Sequence, residues 1–308
     1  MGLSKPRQGA KLPVHTDRYW EKVLGSDLEI PRGIVRKISS LFVGLVPIKS
    51  WRTHVRNKID DLVIRLHRKK IEHFVHHYPK VRTETETIQK ILAERKSIAR
   101  FGDGEFNLCI GITKAMQKYD LELVARLKQI LNTSDNNILI GINTINSEND
   151  LTKTWKKFII RRGNRVLRLF NCNRTYDSST ITTIFPSQKE AFDSYIELLK
   201  QVWHNRKVVF VVGKNSHFFF EEDLFHNIAQ HEFIYAPGKN AFEKYDHILS
   251  AIKQYDTSWL IMLSLGPTAT LLAYDLSKSG YQAIDLGKTP SNYKLAKNGV
   301  FYLPPPAG

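Results

Sequence analysis

Hydrophobic residues recur along the chain in two patterns, one typical of strands and one typical of helices. Short apolar runs bounded by turns predict strands at 97–101, 137–142, 165–170, 207–212, 232–235, 258–265 and 282–285. Apolar residues three and four apart predict helices at 121–131, 188–203, 241–254 and 270–279. A further helix is predicted to begin at Thr83, which forms a capping-box pattern with Glu86. Because strands alternate with helices, we expect an α/β domain over 83–308 with a mainly parallel sheet and helices on both faces.

The N-terminal region, residues 1–82, has a different pattern. Apolar positions predict helices at 34–45 and 51–66, and residues 31–82 contain 13 Lys and Arg but only 3 Asp and Glu. Basic amphipathic helices are typical of segments that lie on an anionic membrane surface. The alternative is that the apolar faces pack on the main domain and the charges form a solvated face.

Composition and charge exclude several classes of protein. The 308 residues include 42% hydrophobic and 25% charged residues, as expected for a folded protein and not for a disordered one. The two cysteines have no metal-like spacing and favour a reducing compartment. We expect neither a signal peptide nor a transmembrane helix, since the first 17 residues lack an apolar core and no apolar run is long enough. The net charge of +16 indicates an anionic binding partner. Nucleic acid is a weaker candidate for this partner than a membrane surface, because aromatic residues suited to base stacking are sparse in the basic region.

An acidic pair follows the first predicted strand. Asp103 and Glu105 flank Gly104 and come directly after Gly102, so both carboxylates stand on a tight turn. Two carboxylates at this spacing can bind one hard cation, Mg²⁺ or Mn²⁺, that completes its shell with water and substrate phosphate. A solvated polar turn is the alternative interpretation of the same residues.

Two later strand ends have residues suited to phosphate. After 258–265, Gly266 leads into a helix start where Thr268 or Thr270 could cap the helix and a phosphate could bind the free N–H groups. After 232–235, Lys239 stands on a turn and Asn240 could cap the next helix. An ordinary capped helix and a surface lysine are the alternatives. Since ligands of parallel sheets bind beyond the carboxyl ends of the strands, we expect these turns and the acidic pair to share one cleft.

Four motifs in this order resemble the GT-D type glycosyltransferases, a bacterial family with a DxE motif. They are Arg-Phe-Gly-Asp-Gly-Glu at 100–105, Lys-Asn-Ala-Phe…Tyr-Asp at 239–246, Leu-Gly-Pro-Thr-Ala-Thr with Leu-Ala-Tyr-Asp-Leu at 265–276, and Gly-Tyr-Gln-Ala-Ile-Asp-Leu-Gly at 280–287. The resemblance covers about residues 83–295. It implies a Rossmann-like fold, a nucleotide-sugar donor such as UDP-glucose, and a divalent ion, Mn²⁺ or Mg²⁺.

The resemblance also implies roles for single residues. Asp103 and Glu105 become the metal ligands, and Arg100 precedes the acidic pair and orients it. Three further positions match the family near the donor: Lys239, Thr268 and Thr270.

One segment departs from the family pattern. Family members have a glutamate and an arginine where this chain has Val212 and His217, although Ser216 and the Asp-Leu-Phe motif that begins at Asp223 are kept. The resemblance therefore leaves the catalytic base open, and His217 and Asp223 are the two candidates.

The sequence thus predicts a metal-dependent glycosyltransferase at the inner face of the cell membrane. Its acceptor would be a saccharide, lipid-linked in the assembly of surface polysaccharide or glycan, and residues 31–82 would bind the anionic membrane surface. The alternatives are a non-catalytic nucleotide-sugar-binding subunit and a nucleic-acid-binding protein.

Overall fold

The computed structural model describes residues 49–113, 116–171, 173–183, 189–216 and 218–299. The helix predicted at 34–45 lies outside these residues. The elements of the described residues, in chain order, are α1 Lys49–Leu66, α2 Arg68–His77, α3 Glu84–Glu94, β1 Ser97–Arg100, α4 Asp103–Cys109, α5 Leu121–Leu131, β2 Ile138–Ile142, α6 Lys153–Leu167, β3 Asp177–Ser178, α7 Lys189–Lys200, β4 Lys207–Gly213, α8 Glu222–Phe225, β5 Gln230–Ala236, α9 Tyr245–Ile252, β6 Leu260–Ser264, α10 Pro267–Lys278, β7 Gln282–Asp285 and α11 Thr289–Lys297.

The chain divides into two compact units. One contains α1 and α2 together with α6, within the segment Lys153–Cys172, and we call it the helical unit. The other, the sheet unit, comprises Pro79–Thr152 and the chain from Asn173 onward. The sequence-based division at residue 82 did not include the return of 153–172 to the helical unit, which depends on packing between segments far apart in the chain.

The helical unit is held by a small apolar core and by ion pairs. Ile71 and Phe74 of α2 are fully buried, and α2 packs closely on α6. Gly163 makes room for this packing, because a Cβ at that position would lie 2.9 Å from the Phe74 ring. The Lys157 ammonium lies 2.6 Å from the Asp60 carboxylate and so connects α6 to α1.

The strand predicted at 165–170 is wrong, because α6 continues to Leu167 and a turn follows. The buried residues Ile159, Gly163, Val166, Leu167 and Phe170 recur at three- and four-residue steps, as one face of a helix does. The apolar run around Arg168 is thus the end of that helical face and not a strand.

The sheet unit is built on one parallel sheet, which confirms the predicted α/β class. Its seven strands, within the described residues, have the order β3-β2-β1-β7-β6-β4-β5, and every pairing is parallel. Residues 208–212 of β4 are all buried, as expected for a strand covered on both sides by other elements. The Phe210 ring contacts Phe225 and Phe233 and so anchors an aromatic core beside β4 and β5.

Most predicted elements of the sheet unit lie within a few residues of the observed ones. The capping box is formed as predicted: the Glu86 N–H donates to the Thr83 hydroxyl at 3.2 Å, and the Thr83 N–H donates to the Glu86 carboxylate at 2.8 Å. The predicted helix at 241–254 begins with a 3₁₀ turn, Ala241–Lys244, before α9. Across the described residues, no helix combines the length and apolar character that crossing a bilayer requires.

Candidate active site

The carboxyl ends of the strands enclose a cleft of about 390 Å³. Each of the seven described strands contributes a lining residue at its end or directly after it. One residue for each strand, from β1 to β7, is Arg100, Asn143, Ser179, Gly213, Pro237, Ser264 and Asp285. A parallel sheet directs all these ends to one edge, so segments far apart in sequence meet there.

The acidic pair lies on the first of these strand ends. Gly102 is the N-cap of α4, and its N–H donates to Glu105 Oε2 at 2.8 Å, so the glutamate side chain folds back on its own helix start. Asp103 is exposed, whereas Glu105 is half-buried, and both line the cleft. Burial raises the pKa of Glu105 to about 7, and the Asp285 and Asp103 carboxylates act in the same direction.

Arg100 connects three strand ends. Its guanidinium donates to the Ser179 carbonyl at 2.8 Å and to the Thr182 hydroxyl, and it lies 3.4 Å from the Asp285 carboxylate. The family resemblance implied that Arg100 orients the acidic pair, but its bonds run to residues after β3 and at the end of β7. Arg100 therefore connects these strand ends, and we call Arg100 together with Asp285 the floor of the cleft.

Asp285 is the partner of Arg100 at the end of β7. Its side chain is only 8% exposed, and it accepts from the Gly287 N–H at 3.2 Å as well as from Arg100. Burial raises the pKa of Asp285, and the Arg100 guanidinium opposes that rise. Gly287 has a φ of +56°, and a Cβ there would overlap the Arg100 guanidinium, so this turn requires glycine.

The start of α10 differs in detail from the prediction. Gly266 lines the cleft as the N-cap with a φ of +56°, and Pro267 is the first helical residue. Neither predicted threonine caps the helix. The Thr270 hydroxyl donates to the Arg100 carbonyl at 3.0 Å, and the Thr268 hydroxyl is buried without a hydrogen-bond partner in the described residues.

The turn after β5 brings Lys239 to the cleft, where it is exposed. Asn240 takes the N-cap position of the following 3₁₀ turn, but its side chain makes no capping hydrogen bond. Its Oδ1 instead accepts from the Lys118 N–H at 2.9 Å, and its N–H donates to the Met116 carbonyl at 2.9 Å. Asn240 therefore fastens this turn to the loop that contains Met116, which also lines the cleft.

The structure thus brings Asp103, Glu105, Lys239 and Gly266 together in one cleft. A family model described as "Glycosyltransferase GT-D fold" matches residues 98–302, which include every one of these positions. The chain belongs to the GT-D glycosyltransferase family.

Two relatives of this chain come from streptococci. The chain is 30% identical over 226 residues to the "Probable glycosyl transferase Gly" of Streptococcus gordonii, and 29% identical over 222 residues to the "Glycosyltransferase GlyD" of Streptococcus pneumoniae serotype 4. Each match covers 70% of this chain but only 33% and 27% of those proteins. The chain therefore spans about a third or less of the length of these relatives.

Solved structures have the same fold as this GT-D chain. One is described as "The highly conserved domain of unknown function 1792 has a distinct glycosyltransferase fold"; its TM-score is 0.69 at 31% identity, over 76% of this chain and 86% of that one. Another, "A New Glycosyltransferase (DUF1792) from Streptococcus sanguinis", has a TM-score of 0.66 at 28% identity, over 72% and 86%.

Of the two candidate bases of this GT-D chain, the structure describes only Asp223. His217 lies outside the described residues. Asp223 is on α8, is 54% exposed and forms an ion pair with Lys297, and it is not among the residues that line the cleft. Lys297 also lowers the pKa of Asp223 through a hydrogen bond and its charge.

Several residues that line the cleft have no marked pattern in the sequence. Hydroxyl residues at 179–183 follow β3, a strand of two residues that leaves no periodic signal. Asp285 and Gly287 lie inside the motif at 280–287, where an acid at the end of an apolar run, followed two residues later by a glycine, was the available signal.

Proposed function

We propose that the protein is a glycosyltransferase that moves a sugar from a nucleotide-sugar donor to a saccharide acceptor, with this cleft as its active site. The observation that carries the proposal is the meeting of the DxE turn with Lys239 and the start of α10 in one cleft of a GT-D chain. An acidic turn opposite a cation and a helix start suits a substrate with a diphosphate between a nucleoside and a sugar.

A divalent cation is part of the proposal, and the few side chains that could act as its ligands limit how it is held. No group of three or more His, Cys, Asp or Glu side chains in the described part of the chain is placed to hold a metal ion. Asp103 and Glu105 provide two carboxylates, and one Glu105 oxygen already accepts from Gly102. This set fits Mg²⁺ or Mn²⁺, which commonly take one or two protein carboxylates and fill the shell with water and phosphate oxygens. When bound, the ion would neutralise the leaving diphosphate.

The residues of the chain would bind and position the donor. Lys239 would pair with a phosphate oxygen as a point charge, and the positive end of the α10 dipole at Gly266 would stabilise the same anion. Gly213 and Gly238 let the ends of β4 and β5 pack closely beside this site, because a Cβ on Gly213 would lie 2.9 Å from the Gly238 Cα. The floor formed by Arg100 and Asp285 would hold this arrangement rigid.

A test of the function is hydrolysis and transfer from a panel of nucleotide sugars, with and without Mn²⁺. Asp103→Asn should abolish metal-dependent turnover while the thermal unfolding midpoint stays the same. Asp223→Asn is the matched control, since Asp223 is exposed and outside the cleft, and it should retain turnover. Activity of Asp103→Asn equal to wild type would remove the metal site from the proposal.

A non-catalytic nucleotide-sugar-binding subunit is the second candidate. The position of Asp223 outside the cleft and the presence of Val212 where the family pattern has glutamate favour it. Binding of a nucleotide sugar without hydrolysis above a buffer blank would support this candidate over the transferase.

We also propose that the helical unit contacts an anionic membrane, close to a lipid-linked acceptor. Leu62 and Leu66 of α1 are 51% and 72% exposed, and Arg65 and Lys69 are exposed beside them. Apolar residues next to basic ones are the combination that binds headgroups and acyl chains. This membrane contact would keep the enzyme at the cytoplasmic face.

Vesicle binding tests the membrane proposal with full-length protein. Leu62→Ser with Leu66→Ser should weaken binding to phosphatidylglycerol-containing vesicles. Leu121→Ser is the control, because Leu121 is 76% exposed but belongs to the sheet unit. Equal vesicle binding by all variants would contradict the proposal. Point variants are preferable to deleting 1–82, since α6 packs on α1 and α2.

A further inference from the structure

The turn after β5, which contains Lys239, is hydrogen-bonded to another segment close to the cleft. Asn240 forms the two bonds to 116–118 described above, and the Phe242 N–H donates to Gln117 Oε1 at 3.5 Å. Both bonded residues follow Lys239 closely in the chain, so these contacts fix the start of the turn. The position of Lys239 at the cleft also depends on how the other end of the turn is held.

A network of three side chains holds that other end. Tyr245 is the first residue of α9 and directly follows the 3₁₀ turn Ala241–Lys244. Its hydroxyl donates to Asp275 Oδ2, on α10, at 2.9 Å. Arg126, on α5, donates to the same Oδ2 at 2.6 Å and to the Tyr245 hydroxyl at 3.0 Å. Each of the three groups is thus bonded to the other two, and we call them the Arg126 network.

The Arg126 network is partly shielded from water. Tyr245 is buried, and the side chains of Arg126 and Asp275 are 23% and 33% exposed. Burial raises the pKa of Tyr245, so its hydroxyl keeps its proton at neutral pH and donates to Asp275. The Arg126 guanidinium also lies 4.5 Å from the centre of the Tyr245 ring. Hydrogen bonds between charged groups in such surroundings are stronger than those at an open surface, so the network is a firm link between three helices.

The network connects the two groups that the proposed function assigns to the phosphate. Lys239 is linked to it through the short turn that ends at Tyr245. The helix that contains Asp275 is α10, whose N-cap Gly266 lines the cleft. Arg126, Tyr245 and Asp275 are not among the described residues that line the cleft, so they act on a ligand only through the elements that they join.

We propose that Arg126, Tyr245 and Asp275 are positioning residues that hold Lys239 at a fixed distance from the start of α10, matched to the diphosphate of the donor. Lys239 is exposed on its turn, and a flexible cation loses entropy when it pairs with a phosphate. Holding the turn in place before the ligand arrives reduces that loss. The inference rests on the proposed function. It differs from a purely stabilising role because the network should affect phosphate binding, and only while Lys239 is present.

The binding test uses Arg126→Met and the milder Tyr245→Phe, which keeps the ring over which Arg126 lies. Calorimetry with Mg²⁺ measures UDP, and saturation-transfer NMR measures uridine, which has no phosphate. Arg126→Met should raise the UDP dissociation constant roughly tenfold, the value of about one hydrogen bond to a charged group, and leave uridine binding unchanged. Tyr245→Phe should have the same effect by a smaller factor. In a Lys239→Gln background, Arg126→Met should change UDP binding little.

Arg206→Met is the matched control. Arg206 donates to Gln282 at 2.5 Å where β4 and β7 begin, at the opposite edge of the sheet from the cleft. This variant should lower the thermal unfolding midpoint without weakening UDP binding. UDP binding that is unchanged in Arg126→Met and Tyr245→Phe, or that weakens equally with and without Lys239, would overturn the positioning role.

Hydrogen exchange of the ligand-free protein separates this inference from the proposed function. Amides of 116–120 and 238–245 should exchange faster in Arg126→Met than in the wild type, whereas amides of β4 should not change. Unchanged exchange in both segments would show that the network does not hold the turn and would overturn the inference. Faster exchange in these segments, in a protein whose wild type binds no UDP, would instead overturn the proposed function alone.

Discussion

The turn at Gly287 makes the most demanding test of the cleft floor. Gly287→Ala places a methyl group where the Arg100 guanidinium lies, on a backbone with a φ of +56°. The left-handed backbone alone costs a residue with a Cβ about 1–2 kcal/mol. Displacing Arg100 also leaves the Asp285 carboxylate buried without its cation, and breaking a buried pair costs about 3–5 kcal/mol. We therefore expect a loss of roughly 4–7 kcal/mol in the free energy of unfolding.

Gly280→Ala is the matched control for backbone strain. Gly280 has a φ of +84°, and a Cβ there would meet only the Thr257 methyl group at 3.8 Å, an ordinary contact. This variant should lose about 1–2 kcal/mol. Urea unfolding gives the total loss, and hydrogen exchange of the β1 and β7 amides assigns it to the sheet unit.

A double-mutant cycle with Arg100→Met isolates the overlap. In that background the methyl group meets no guanidinium, so Gly287→Ala should cost only its backbone strain. The coupling free energy between the substitutions at 287 and 100 should then be about 3 kcal/mol or more. Overlap between the new methyl group and the Arg100 guanidinium is refuted if Gly287→Ala costs no more than Gly280→Ala, or if the effects of the substitutions at 287 and 100 are additive.

Three further outcomes are expected. Thr83→Ala removes the capping box of α3 and should cost about 1 kcal/mol, measured by urea unfolding, whereas Thr83→Ser should cost little. Gly163→Ala should destabilise the helical unit by roughly 1 kcal/mol, because overlap with the Phe74 ring outweighs the gain in helix propensity, and in a Phe74→Leu background the same change should stabilise it. Burial and two neighbouring histidines lower the pKa of His73 from 6.5, so the unfolded chain binds its proton more readily. Stability of the helical unit should therefore fall as the pH drops through 6.5, and less steeply in His73→Gln, as followed by circular dichroism.

The elements that the sequence predicted well are those whose evidence is local. Residues 208–212 form a short apolar run rich in valine, which favours a buried strand, and β4 matches the predicted strand at 207–212 within one residue. The capping box at Thr83 needs only four consecutive residues. The same is true of the acidic turn, where glycines and carboxylates stand next to one another.

The elements that the sequence missed depend on contacts between distant segments. Two residues suffice for β3, because Gly141 and Ile142 of β2 supply its partners, and no periodic pattern marks it. Asn240 suits a helix cap by residue type, but the Lys118 N–H and the Met116 carbonyl pair with it. The role of such a residue depends on its partners in the fold, which come from segments distant in the sequence.

The helical unit is assembled from pieces that are synthesised at different times. During translation, α1 and α2 emerge from the ribosome before β1 and β2, and α6 follows only after both strands. The apolar faces that α6 later covers are thus exposed on the nascent chain while the first part of the sheet is being made, a state in which chains are prone to aggregate. Protection of this early intermediate by a chaperone, or by the membrane surface itself, would favour correct assembly.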